Sequence, residues 1–209
     1  MRSNFERCLA ETLAHEGGWA DDPRDAGGAT MKGITFATYR AWKKRSITKA
    51  ELRNISDAEV AAIYRQNYWD AVRGDDLPAG LDLVAFDAAV NSGVSRGAKW
   101  LQSALGVTAD GMIGPQTIAA AQQAHPEAVI DRAISARLAF LRVAKNTKTG
   151  ALLWPTYGKG WTRRVESVRE TAIAMSKVTA PNATKPAAPS AGIIAALLAL
   201  FKSMFGGKA

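Results

Sequence analysis

Glu16 is followed at once by Gly17-Gly18, nine positions on by a second carboxylate, Asp25, and then by a hydroxyl at Thr30. One carboxylic acid to protonate a leaving group, and one carboxylate to activate water on its far side, are the two parts that glycosidic-bond hydrolysis needs. A carboxylic acid enclosed by apolar side chains holds its proton toward neutral pH. The helical neighbours of Glu16 on its own face are Leu9, Thr12 and Leu13. Its plainer reading is an exposed glutamate at a helix end, although a carboxylate is disfavoured at that negative pole. Asp25 can equally be a turn residue that caps its own backbone. Asp21 and Asp22 compete with it for the second place, and Thr30 is suited to holding a water.

The elements around these residues are mostly helical. Ser3 and Glu6 have capping-box spacing, and Phe5, Cys8, Leu9, Thr12, Leu13 and Glu16 fall on one face of the helix they open. Gly17 and Gly18 are expected to end it in left-handed backbone. Residues 19–35, rich in Gly, Asp and Pro, predict a loop or small irregular hairpin lobe. Helical pattern resumes at 36–44. Ser56 and Glu59 form a second capping box ahead of Val60, Ile63, Tyr64 and Tyr68. Further helices are expected at 83–91, closed by Gly93, at 95–105, after Pro115, from Pro126 to about 144, and at 161–177. The fold class is mainly α, with the small lobe carrying part of the site.

The composition excludes some functions. With 27 basic and 19 acidic residues the net charge is +8, which favours anionic polymers such as nucleic acid, membrane surfaces and cell-wall material. No zinc-finger, aromatic RNA-binding or helix-turn-helix pattern selects nucleic acid, so it is not expected as a partner. The clusters Arg40, Lys43, Lys44, Arg45 and Arg137, Arg142, Lys145, Lys148 read as solvated helix faces able to hold an anionic wall. One cysteine and two histidines argue against an intrachain disulfide, a metal site or a cofactor. The N-terminus lacks a secretory apolar core. Residues 179–190 read as a Pro/Ala-rich linker. The short apolar, cationic tail 191–209 reads as a possible membrane or lipid contact, its apolar run being about half the roughly 20 residues of a span. Its alternative is a helix that docks on its own globular body or on another subunit.

The block Glu16-Gly17-Gly18-Trp19, Asp22-Pro23, Asp25, Gly27-Gly28, Thr30 and Gly33-Ile34-Thr35 closely resembles glycoside hydrolase family 108. That resemblance implies an N-acetylmuramidase of phage-endolysin type with a lysozyme-like fold, and Glu16 as its catalytic acid. The order Glu16, Asp25, Thr30 is similar to the catalytic triad of phage-type lysozymes, which space the hydroxyl slightly farther from the aspartate. Tyr64 to Asp70 and Phe86 to Gly93 look like later family blocks. The run from Leu105 to Thr117 is similar to the peptidoglycan-binding module that usually follows.

The resemblance sets the expectations. Residues 1–94 form a lysozyme-like catalytic region and 95–178 a helical peptidoglycan-binding region, the two able to pack as one unit. The segment Gly158 to Arg164 is a candidate part of the lysozyme-like core. The substrate is bacterial peptidoglycan, cut between N-acetylmuramic acid and N-acetylglucosamine. Tyr64, Tyr68, Trp69 and Asn91 are the candidate sugar contacts, with core packing as the alternative for the aromatics and helix capping for Asn91. The protein is expected in the host cytoplasm until release, acting in the periplasm or wall. A lytic transglycosylase using the same glutamate, or a non-catalytic wall-binding or membrane-permeabilising protein, are the rival readings.

Overall fold

In the computed structural model, residues 4–21 and 28–179 of the chain are described. Among them are nine α-helices and one two-stranded sheet. The centre is α5 (Leu81–Ser92), every residue of which from Leu81 to Ala89 is buried. A helix apolar on all sides is stable only when covered on all sides. Here α1 (Phe5–Leu13), α6 (Val94–Leu105) and α8 (Pro126–Val143) pack on it. Close approach of α6 is possible because Gly97 faces α5, where a Cβ would lie 2.8 Å from the Ala89 nitrogen. Phe5, Trp69 and Phe86 meet edge to face, with centroids 5.4–6.0 Å apart, and form the apolar floor beneath the site.

The small lobe is a hairpin. β1 (Thr30–Met31) and β2 (Ile34–Thr35) pair antiparallel, with Met31 opposite Ile34. The two-residue turn is Lys32-Gly33, and both residues have positive φ, 50° and 73°. Two such residues match the right-handed twist of the strands they join. Ala20 extends the lobe through paired backbone bonds with Thr30. Thr35 then caps α2 (Phe36–Lys43), accepting from the Thr38 nitrogen. The short α3 (Lys49–Arg53) and α4 (Asp57–Tyr64) both open on complete capping boxes, Thr48/Glu51 and Ser56/Glu59.

Three expectations change. Ser3 lies outside the described residues, and α1 is preceded by Asn4, whose side chain donates to Asp82 instead of capping the helix. α1 ends at Leu13, and neither Gly17 nor Gly18 takes up left-handed backbone. The final helix, α9 (Trp154–Thr179), starts two turns earlier than its periodicity predicts. Pro155 fits its first turn, where no amide donor is needed, and the Trp154 ring covers Gly158. The described residues up to Val178 pack as a single compact unit.

α7 (Pro115–Gln123) follows a loop held by the buried amide of Gln102. That amide donates to Asp110, Met112 and Thr117 and accepts from the Gly111 nitrogen. No described helix is long and apolar enough to cross a membrane. The tail 191–209, and the expected linker beyond Thr179, lie outside the described residues.

Candidate active site

Glu16 sits three residues beyond the end of α1. The backbone bonds from His15 to Thr12 and from Glu16 to Leu13 close i to i−3 turns, so the chain tightens and leaves the helical phase. The apolar enclosure expected for Glu16 is replaced by a charged and hydroxyl-rich one.

Arg164, on the inward face of α9 and 148 positions away in sequence, donates from Nη1 to Glu16 Oε1 at 2.7 Å. On the other side lies the hairpin turn. A Cβ on Gly33 would stand 2.9 Å from Glu16 Oε2 and 2.5 Å from the Tyr64 hydroxyl, so only glycine fits there. That hydroxyl donates to the Lys32 carbonyl at 2.8 Å and ties the turn to α4. Burial, with Glu16 adding to it, pushes the Tyr64 phenol above its ordinary range. One turn before Glu16, Glu11 accepts from Ser167 and Thr171 of α9. The end of α1 is thereby stitched to α9 at two successive levels. The Glu16 side chain remains 19% exposed.

Arg164 is itself anchored. Its Nη2 and Nε donate to Asp87 Oδ1 at 2.7 and 2.9 Å, Nε also reaches Oδ2 at 3.2 Å, and Arg137 donates from Nη1 to Oδ2 at 2.6 Å. Asp87 and Arg137 are 0% and 2% exposed. Burial by itself would lift the Asp87 carboxyl, but the two guanidiniums outweigh it and hold it below the usual carboxylate range. Arg137 also donates to Asn91 Oδ1 at 3.0 Å. A continuous chain of charged hydrogen bonds therefore runs Asn91–Arg137–Asp87–Arg164–Glu16.

The sequence-derived site residues separate into three groups. Glu16 and Thr30 both lie at the small lobe, Thr30 on β1 and Glu16 against the turn that β1 enters. Tyr68 is half-buried, 5.6 Å from the Tyr64 ring, and burial followed by the field of Glu16 raises its phenol. Asn91 has its carbonyl oxygen committed to Arg137 and Ser92, which leaves its amide group as the polar end for a ligand. Tyr64 and Trp69 are corrections. Each is 1% exposed, so neither offers a face for a sugar. Tyr64 anchors the hairpin, and Trp69 donates its indole N–H to Asp75 and packs on Phe5 and Phe86. A π-helical turn, Arg65–Trp69, follows α4 and sets the phase that turns Trp69 inward while Tyr68 stays half-exposed. Asp25 and its competitor Asp22 lie outside the described residues.

Sequence reasoning missed Arg164, Asp87 and the role of Arg137, which it took for part of a solvated face. Asp87 carried a signal, being a carboxylate inside the apolar run of α5 that must find a cation to be buried. Helical phase separates Arg164 from Arg163, because only Arg164 lies on the side of α9 that buries Val168. No described cluster of His, Cys, Asp or Glu could hold a metal ion.

The arrangement can present one oxygen of a carboxylic acid to a ligand while the other is held. Against known proteins, residues 9–93 match the family model described as Glycosyl hydrolase 108, and residues 96–166 match the Predicted Peptidoglycan domain. No curated protein matches. Among solved structures, the chain is similar to one titled "Structure of Brucella abortus SagA". The two are 42% identical with a TM-score of 0.71, over 85% of this chain and 98% of that one.

Proposed function

The chain belongs to the glycosyl hydrolase 108 family, and we propose that it cleaves the β-1,4 bond between N-acetylmuramic acid and N-acetylglucosamine with Glu16 as general acid. The family and the peptidoglycan domain that follows make it a glycoside hydrolase acting on peptidoglycan. The observation that carries the finer reading is the asymmetric hold on Glu16. Arg164 occupies Oε1, while Oε2 faces the glycine turn.

In this reading Oε2 bears the proton and delivers it to the bridging oxygen as the bond to the muramic acid anomeric carbon breaks. Oε1 keeps its bond from Arg164 before and after transfer, so the group does not reorient. Asp25, with Asp22 as its competitor, activates the attacking water or stabilises the developing positive charge, and Thr30 orients the water. Water supplies a hydroxyl to the anomeric carbon and its remaining proton passes to the carboxylate. Tyr68 and the amide of Asn91 contact the sugars. The protein waits in the host cytoplasm until the membrane is breached, and the tail 191–209 meets lipid.

Glu16→Gln keeps the acceptor for Arg164 and removes the transferable proton. It should lower the rate of reducing-end release from purified peptidoglycan by about 10²–10⁴-fold while leaving the melting temperature near wild type. Lysis at the wild-type rate by this variant overturns the assignment. Mass spectrometry of wild-type products fixes the reaction type, since reducing muramic acid ends mean hydrolysis and anhydro ends a transglycosylase.

A further inference from the structure

The net charge of the protein is concentrated in one stretch. Between Asp131 and Glu166 there are eight Lys and Arg residues and no acid, which leaves 19 bases against 19 acids elsewhere. Three of the eight serve the fold, Arg137 and Arg164 on Asp87 and Arg132 on the Ala104 carbonyl. Arg142, Lys145, Lys148, Lys159 and Arg163 pair with no carboxylate among the described residues. All five belong to the junction where α8 passes into the first turns of α9.

Three of these cations converge on a groove. It runs along α9, has a volume of about 550 Å³, and is lined by Trp154, Pro155, Gly158, Lys159, Thr162 and Arg163. Those positions recur at i, i+4, i+8 and their immediate successors, so they form one stripe of the helix. Trp154 packs half-buried on the core, and its ring lies along the backbone at Gly158, where a Cβ would stand 2.8 Å from it. The ring is the inner wall, and the Lys159 and Arg163 stems are the outer one. From α8, the Arg142 guanidinium stands over the same ring at 5.7 Å. The Thr162 hydroxyl already donates to the Gly158 carbonyl at 2.8 Å, so the groove offers a ligand chiefly positive charge. Arg164 is turned about 100° round the helix from Arg163 and meets Glu16, so the groove lies on another side of α9 from the acid.

At the same junction, aliphatic side chains face water. Val143, which ends α8, is 64% exposed, and Leu152 is 50% exposed. Leu152 stands opposite Lys145 in the antiparallel pair that closes the connection, and Asn146 holds its tip by accepting from the Lys148 and Thr149 nitrogens. An anionic saccharide or a nucleic acid would satisfy the cations and leave these two side chains in water. A bilayer containing anionic lipid satisfies both, since methyl groups enter the interface while long cationic side chains reach the phosphates. We propose that the groove and this connection form a docking surface for an anionic phospholipid membrane. Headgroup phosphates lie against Arg142, Lys159 and Arg163, and Val143 and Leu152 enter the interface. The contact requires neither the tail 191–209 nor the muramidase reading.

The test is co-sedimentation of the full chain with vesicles of mixed phosphatidylglycerol and phosphatidylcholine, and with phosphatidylcholine alone. Arg142→Gln, Lys159→Gln and Arg163→Gln together should weaken binding to the anionic vesicles on the order of 10²-fold, at about fivefold per cation, and flatten its salt dependence. Val143→Ser with Leu152→Ser should weaken it about 10-fold with the salt slope unchanged. All five side chains are exposed, so melting should stay near wild type. Should Arg142→Gln free the Trp154 ring and melt early, Lys159→Gln with Arg163→Gln must still weaken binding by about 10-fold or more. A wild-type chain that ignores anionic vesicles, or variants that bind them undiminished, overturns the proposal. So does an equal loss of pelleting with purified sacculi, measured in chains that also carry Glu16→Gln, because the groove then belongs to the glycan. Reducing-end release from purified peptidoglycan by the triple variant should stay at the wild-type rate. If the wild-type chain releases none while vesicle binding still depends on these residues, the muramidase reading falls and the membrane contact stands.

Discussion

Replacing Arg164 by lysine keeps the positive charge between Glu16 and Asp87 and removes only the fork that reaches both. The guanidinium uses three nitrogens, Nη1 on Glu16 and Nε with Nη2 on Asp87. A lysine has one nitrogen on a flexible stem, so it can satisfy one carboxylate well and the other poorly. Because no buried charge is left wholly unpaired, the cost should stay below the about 3–5 kcal/mol of breaking a buried pair outright. Losing one or two charge-assisted hydrogen bonds gives about 3 kcal/mol. For a chain of this size that is a fall of about 6–12 °C in melting temperature. The larger effect should be on turnover, since Glu16 loses the bond that fixes which oxygen faces the substrate. A misplacement of that kind costs about 10²-fold. The assay is initial-rate release of reducing ends from purified peptidoglycan, with thermal denaturation on the same samples. Wild-type turnover together with a lowered melting point would reduce Arg164 to a structural tie. Wild-type values for both would refute the buried ion network.

Two further predictions concern the supports of the site. Gly33→Ala forces a Cβ against the Tyr64 hydroxyl and Glu16 Oε2 in backbone with φ of 73°, so it should cost about 1–3 kcal/mol and most of the activity; an active variant melting like wild type would show that the turn does not constrain the acid. Asp82, buried under α1, has its carboxyl pushed up to about 6 by burial, against opposing bonds from Asn4, Leu83 and Gly80. Because the folded chain then keeps a proton that the unfolded chain has released, this group's contribution to stability falls as pH rises from about 4 to about 6. Asp82→Asn should therefore gain on wild type by roughly 3 kcal/mol across that window in denaturant titrations, whereas parallel pH profiles would contradict the burial argument.

Much of the scaffold could be read from local chemistry. The capping box at Ser56 and the prolines at helix starts, Pro115 and Pro126, act within a few residues of themselves, and the helices stand where those signals put them. The start of α9 could not be read that way. Pro155, Gly158 and Gly160 look like breakers until the Trp154 ring is seen lying on Gly158. Tyr64 and Trp69 likewise carry aromatic chemistry whose use depends on burial; for Trp69 the π turn at Arg65–Trp69 decides it.

The sequence by itself determined the glycine-flanked Glu16, the small irregular lobe after it, the mainly helical class and the cationic excess, because each follows from residue type and short spacing. Only the tertiary structure decided what surrounds Glu16. The hairpin turn brings Gly33 against it, and α9 brings Arg164 to it from 148 positions along the chain. Arg164 is held there by a carboxylate from the central helix. A buried ion network is a property of packed elements, since burying Asp87 stabilises the fold only once both guanidiniums have arrived.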